Sequence, residues 1–145
     1  MAALSDYLEN KLIDHLFRGR SYTAPTVLAV ALYTATPSDS GGGTEVSGGS
    51  YARGQLNPSD SNWESTQGTT AAAASSGTSG ATQNAVAITF PTPSANWGSI
   101  THFGVFDATT SGNLLFWGAL TTPKTVNNGD PGPTFAIGAI DFTLD

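Results

Sequence analysis

Cysteine is absent from this 145-residue chain, which excludes disulfide bonds, thiolate metal clusters and a cysteine nucleophile. Histidine is scarce: His15 and His102 lie far apart in the sequence, so we do not expect a zinc site built on imidazole. There is no long apolar run, and the first residues lack the basic and apolar regions of a signal peptide. The length suits one domain, and we expect neither a membrane span nor secretion.

Charge is also scarce and unevenly spread. Charged residues make up 11% of the chain, against roughly 25% in typical soluble proteins. The net charge of -6 argues against nucleic-acid binding, which needs a basic surface. No charged residue occurs between Glu64 and Asp107. This stretch predicts either a surface covered by neighbouring subunits or a loop solvated by its Ser and Thr hydroxyls.

The N-terminal segment predicts one amphipathic helix within residues 1–19. Ser5 is the expected N-cap and Gly19 the expected end. A helix this short is stable only when it packs on something. Its apolar stripe is therefore a candidate interface with the rest of the subunit or with a neighbouring chain. The stripe comprises Leu4, Leu8, Leu12, Leu16 and Phe17, joined by Ile13.

After residue 20 the hydrophobic period changes to two, which is typical of strands. We predict a mainly β protein: an antiparallel β-sandwich or jelly roll with one N-terminal amphipathic helix. It is a single domain over 1–145, with the helix in 1–19, the sandwich in 20–56 and 85–145, and a variable loop or arm in 57–84. The predicted strands cover residues 26–34, 51–56, 85–90, 100–107, 114–120, 124–126 and 134–144. In 100–107, Phe103 and Val105 are expected on the face opposite Ile100.

No sequence motif of nucleophilic, phosphate-binding or metal-dependent catalysis is present, so we predict no catalytic, cofactor-binding or metal-ligating residue. The acidic residues fall mostly in loops, where they could hold a structural cation or simply stabilise turns. A hydrolase on the same scaffold is an alternative. It would require Asp107 and Asp130 to face each other at about 5–10 Å.

The large aromatic side chains allow two interpretations. Trp63, Trp97 and Trp117 are expected in the core or at an interface, and Trp63 and Trp97 are candidate interface residues. The alternative is a sugar-binding platform, for which Trp97 is the reasonable exposed candidate. His102, in the middle of a predicted strand, is expected to be a packed or interface histidine.

Several segments resemble a known family. A helix ending in DHLFRG leads through a turn at 22–25 to VALYTATPSD and GGGTEVSGGSYAR, and NLLFWGAL occurs near the C-terminus. These segments are similar to a family of small bacteriophage structural proteins often labelled tail-fibre-like. The resemblance covers nearly the whole chain, with 57–84 as its variable part. The loop NNGDPGP is longer than the family pattern.

The resemblance implies a non-enzymatic virion structural protein on the particle surface, assembled in the host cytoplasm. The main hypothesis is a capsid decoration (cement) protein. The alternative is a subunit of a short tail fibre, collar or tail-tip appendage, acting as an adhesin for a host-surface glycan. The expected partners are other copies of the chain, as a trimer, and other virion proteins such as the major capsid or tail proteins, but neither nucleic acid nor a membrane.

Overall fold

A computed structural model describes residues 3–144, which form one large sheet, two small ribbons and a helix. The large sheet has the order β1-β8-β7-β2-β3, and β4 also pairs with β2. Every pairing is antiparallel. The elements in chain order are β1 (Ala3–Leu4), α1 (Asp6–Phe17), β2 (Ala29–Ala35), β3 (Thr44–Glu45), β4 (Gly54–Gln55), β5 (Ala81–Gln83), β6 (Ile88–Thr89), β7 (Gly98–Phe106), β8 (Leu114–Val126), β9 (Thr134–Phe135) and β10 (Asp141–Thr143).

The predicted fold class, mainly antiparallel β with one helix near the N-terminus, is confirmed. The ribbons β5–β10 and β6–β9 contribute side chains to the hydrophobic core that also includes one face of the large sheet. This main core follows from the alternation of side chains along each strand. Its largest members are Leu32, Leu56, Ile88, Phe90, Trp97, Ile100, Phe103, Ile140 and Phe142.

A second, smaller cluster lies on the other face of the large sheet. It consists of Ala31, Tyr33, Phe106 and Leu114, with Trp117 packed against it. Both faces of β2 are therefore buried, as its double-sided apolar pattern predicts. The sheet thus carries one core on each face.

The β7–β8 hairpin forms the longest pairing and contains one departure from simple alternation. Ile100 joins the same core as Phe103 and Val105, so the prediction that it faces the opposite side is wrong. The reason is a bulge: Ile100 pairs with Lys124, but His102 already pairs with Ala119. Pro123 lies in the extra stretch of β8, where its missing N–H removes a possible ladder hydrogen bond.

The helix is shorter than its predicted stripe. Ser5 caps it, because its hydroxyl accepts a hydrogen bond from the Leu8 N–H. Leu4 lies outside the helix in β1, opposite Phe116, since Ser5 is extended and donates its N–H to Leu115. The chain leaves the helix through Gly19, whose φ of 67° suits glycine.

One predicted strand is divided, and one predicted loop is partly ordered. The 134–144 strand divides into β9 and β10, because a turn closed by Ala139 N–H and Ala136 O separates them. The 57–84 segment is also partly ordered: Trp63 packs against the main core and the segment ends in β5, whereas 71–80 is wholly exposed. No helix within 3–144 has the length and apolar character needed to cross a bilayer.

Candidate functional site

A polar cavity of about 550 Å³ opens over the face of the large sheet that carries the smaller core cluster. Its walls are the start of α1, the loop at 38–42 and the turn after β7. Tyr33 and Phe106 form its floor as members of the smaller core cluster. Glu45, from the short strand β3, and Arg53, just before β4, supply its central charges.

Arg53 and Glu45 form a two-pronged ion pair. The Nε and Nη2 of Arg53 donate to the two carboxylate oxygens of Glu45, each at 2.8 Å. Nη1 donates to the carbonyls of Ala108 and Ser111, at 3.0 and 2.7 Å. The guanidinium lies 3.6 Å from the ring centre of Phe106, and the Arg53 side chain is 7% exposed. One side chain therefore joins β3 and β4 to the β7–β8 turn.

Two tyrosines adjoin this pair. The Tyr51 hydroxyl donates to Glu45 and accepts a hydrogen bond from the Leu32 N–H at 2.9 Å. Burial raises the pKa of Tyr51 well above its ordinary value, and the charge of Glu45 adds to the rise. Burial also raises the pKa of Tyr33, again with a contribution from Glu45. Burial opposes the charged form of Arg53, but its hydrogen bonds to Glu45, together with the charges of Glu45, Tyr51 and Tyr33, outweigh this and raise its pKa.

The helix side of the cavity is held by a separate set of bonds. Asp39 accepts a hydrogen bond from Trp117 Nε1 at 2.9 Å, and its carbonyl accepts the N–H of Asp6. Ser5, 1% exposed, donates its hydroxyl to the Leu114 carbonyl. These bonds fix the start of α1 on the 38–42 loop and on β8. Asp39 and Ser5 on this side of the cavity are thus engaged in hydrogen bonds, as Arg53 and Glu45 are at its centre.

The two acids required by the hydrolase alternative lie far apart. Asp107 follows the end of β7 and accepts the Asn113 N–H at 2.7 Å within its own turn. Asp130 accepts the Asn127 N–H at the other end of the β7–β8 hairpin. Nine residues of β7 separate the two ends, which corresponds to roughly 30 Å of strand. The hydrolase alternative, which requires these two carboxylates to face each other, is therefore wrong. Each acid instead stabilises a turn.

The loop acids do not gather within the described residues. No group of three or more His, Asp or Glu side chains is close enough there to hold a metal ion. Glu64, the remaining partly buried loop acid, accepts a hydrogen bond from Gln83 at 2.8 Å. Of the two roles considered for the loop acids, cation binding and turn stabilisation, the hydrogen bonds of Asp107 and Asp130 support turn stabilisation.

The helix stripe divides into two parts. Leu8 is buried and Leu4 and Leu12 are half-buried, so this part packs on the subunit itself. Leu16 and Phe17 are 69% and 81% exposed, and Ile13 is 51% exposed. We call Ile13, Leu16 and Phe17 the helix-end patch.

The other candidate interface residues lie inward. Trp97 is 6% exposed, and its indole N–H donates to the Gly49 carbonyl at 3.0 Å. Trp63 is half-buried and packs against Phe142. Burial of Trp97 removes the exposed platform that sugar stacking would need at that position. His102 is half-buried beside Trp117, with its Nδ1 2.8 Å from the Thr101 hydroxyl.

With this geometry in place, the chain can be compared with known proteins. Residues 3–143 match the family model described as "Podophage GP4 fiber I protein gp80". The chain belongs to this family. The predicted resemblance to tail-fibre-like phage proteins is confirmed, and a phage fibre family implies a virion component. A search of curated proteins gives no match.

Two features of this fibre-family protein were not among the predicted site residues. The first is the Arg53–Glu45 pair. Its signal in the sequence is that Arg53 and Lys124 are the only basic residues after position 20. A lone arginine in an acidic segment is a candidate for a buried ion pair.

The second feature is an apolar pocket of about 260 Å³. Its walls come from residues distant in sequence, so no local pattern reveals it. We define the apolar pocket by Leu28, Trp63, Val105, Phe116, Phe142 and Leu144.

Proposed function

We propose that this chain is a non-enzymatic structural subunit of a phage tail fibre or tail-tip appendage. The observation that supports the proposal is the family match over residues 3–143 to a model described as a fibre protein. This favours the alternative given in the sequence analysis over capsid decoration. Location of the chain on the phage head is one possible outcome of the microscopy experiment described below.

The structure is consistent with a mechanical role. The two charges at the centre of the polar cavity neutralise each other and bind three segments of the sheet together. The acidic residues of the adjacent turns are likewise bonded within those turns. Such contacts connect distant segments of the chain and stabilise the shape of the subunit.

Binding of a host-surface glycan remains a prediction, and the polar cavity offers no site for it. Tyr33 and Phe106, the aromatic residues on the floor of the polar cavity, are 4% and 8% exposed. Arg53 covers the ring of Phe106. Neither ring therefore offers an open face for a sugar, and we assign no glycan contact to this cavity.

Electron microscopy of labelled virions tests the location. An epitope inserted between Gly77 and Thr78 lies in the exposed 71–80 segment, away from both cores. We expect antibody-gold particles on tail appendages. Uniform labelling of the head would replace the proposal with capsid decoration. Absence of the chain from purified virions, measured by mass spectrometry, would exclude both. Untagged virions control for non-specific binding.

A further inference from the structure

Two apolar features of the subunit face solvent without a partner within residues 3–144. One is the helix-end patch, where Phe17 is 81% and Leu16 is 69% exposed. The other is the apolar pocket, whose wall is almost wholly carbon. One is a projection and the other a concavity. A projection that remains this exposed does not fill the pocket of its own subunit.

The two features match in size. A cavity of about 150 Å³ lined by aliphatic and aromatic side chains is enough to bind benzene. The apolar pocket, at about 260 Å³, has room for the ring of Phe17 and part of a neighbouring Leu16 side chain. Its lining of Trp63, Phe116 and Phe142 would surround an inserted ring with aromatic and aliphatic contacts.

The two features also match in charge. Arg18 and Arg20 follow the helix-end patch and share a single acidic partner, Asp14, at 3.3 and 3.9 Å. One positive charge is left over at this end of the helix. Asp60 directly follows Ser59, which lines the apolar pocket, and lies in an exposed turn. A basic helix end and an acidic residue next to a pocket-lining one favour contact between these two different surfaces over contact between two like surfaces.

We propose that the occupant of the apolar pocket is a second copy of this chain. Leu16 and Phe17 of one subunit insert into the pocket of the next, head to tail. The contact is heterologous, since different surfaces meet, and it closes into a ring or continues as a filament. The proposal concerns the purified protein and does not depend on where the chain lies on the virion.

Complementation between two variants tests the contact. Phe17→Asp removes the projection, and Leu144→Arg places a positive charge at the half-exposed rim of the pocket. We expect each variant to weaken self-association at least about tenfold, as loss of a buried anchor residue does. Mixed together, the two should form a one-to-one dimer, because one intact projection and one intact pocket remain. Mass photometry and sedimentation measure the masses.

Matched controls use Ile137, which is 64% exposed and lies outside both features. Ile137→Asp and Ile137→Arg should leave self-association unchanged. If Leu144→Arg loses its fold, as judged by circular dichroism, Ser59→Arg replaces it at the same pocket. A wild-type protein that stays monomeric at micromolar concentrations overturns the proposal. So does a mixture that fails to form the dimer, which would indicate a symmetric helix–helix contact instead.

Discussion

At the scale of single residues, Arg53 holds together more of the structure than any pattern around it suggests. Its guanidinium joins Glu45 to two carbonyls of the β7–β8 turn and covers Phe106. We predict that Arg53→Ala lowers the free energy of unfolding by about 3 kcal/mol or more, because a largely buried carboxylate loses its partner. Urea unfolding followed by tryptophan fluorescence measures this loss.

Arg18→Ala is the matched control for that prediction. Arg18 pairs with Asp14, but its side chain is 62% exposed. Solvent screens such a pair, so we expect a change of about 0.5 kcal/mol or less. Equal losses for the two variants would show that the Glu45 pair is no stronger than a surface contact.

Tyr51 makes the free energy of unfolding depend on pH in the alkaline range. Burial and the charge of Glu45 raise its pKa above the value of about 10 for an unfolded chain. The folded state therefore keeps the phenolic proton at pH values where the unfolded state loses it. The stabilisation is complete below about pH 10 and declines as pH rises, with a slope of up to about 1.4 kcal/mol per pH unit.

Comparison of Tyr51→Phe with the wild type isolates the pH-dependent stabilisation that the Tyr51 hydroxyl contributes. We expect the variant to show a shallower loss of unfolding free energy between pH 9 and 11. At pH 7 it should cost about 1 kcal/mol, because the Leu32 N–H loses its acceptor. Tyr7→Phe, which leaves that bond intact, should cost little at pH 7. Identical slopes for Tyr51→Phe and the wild type would contradict the assignment.

At the scale of elements, sequence periodicity predicted the long elements and missed some of the short ones. The α1 stripe and the alternation in β7 and β8 extend over enough residues to show a period. Strands of two or three residues, such as β3 and β5, have no measurable period. Sequence periodicity also missed the polar cavity and the apolar pocket, because residues distant in sequence form the walls of both.

Asn84 illustrates such a contact between elements. Its side chain is fully buried, donates to the carbonyls of Val86 and Ala136, and accepts the Ile140 N–H. It therefore ties the β5–β6 connection to the β9–β10 turn. We predict that Asn84→Ala lowers the free energy of unfolding by at least about 2 kcal/mol, because the buried Ile140 N–H and the carbonyls of Val86 and Ala136 lose their partner.

Hydrogen exchange gives that prediction a local readout. The Ile140 amide should exchange faster in Asn84→Ala even under conditions where the protein stays folded. The control is Asn10→Ala, since Asn10 is exposed and bonds only within its own helix. We expect a change within about 0.5 kcal/mol for the control. Unaltered exchange at Ile140 would mean that the ribbons are held by the apolar core alone.

At the scale of the whole molecule, charge is segregated along the chain. Residues 1–20 contain three of the five basic side chains, whereas the rest contains two basic and eight acidic residues. Because the helix-end patch lies at the end of the balanced segment, the sequence around it is less acidic than the rest of the chain. Such a molecule favours the orientation that brings one copy's helix end against the body of the next.

This asymmetry predicts the salt dependence of self-association. The screening length falls from about 30 Å at 0.01 M salt to about 3 Å at 1 M. If Arg18 and Arg20 meet Asp60 beside the pocket of the next copy, added sodium chloride should weaken association of the wild type. The double variant Arg18→Gln, Arg20→Gln should associate more weakly at low salt and respond little to added salt. Apolar contact alone would be strengthened by a strongly excluded salt such as sulfate. Association that rises with sodium chloride in both proteins would leave Phe17 as the anchor but remove the role of charge in orienting it.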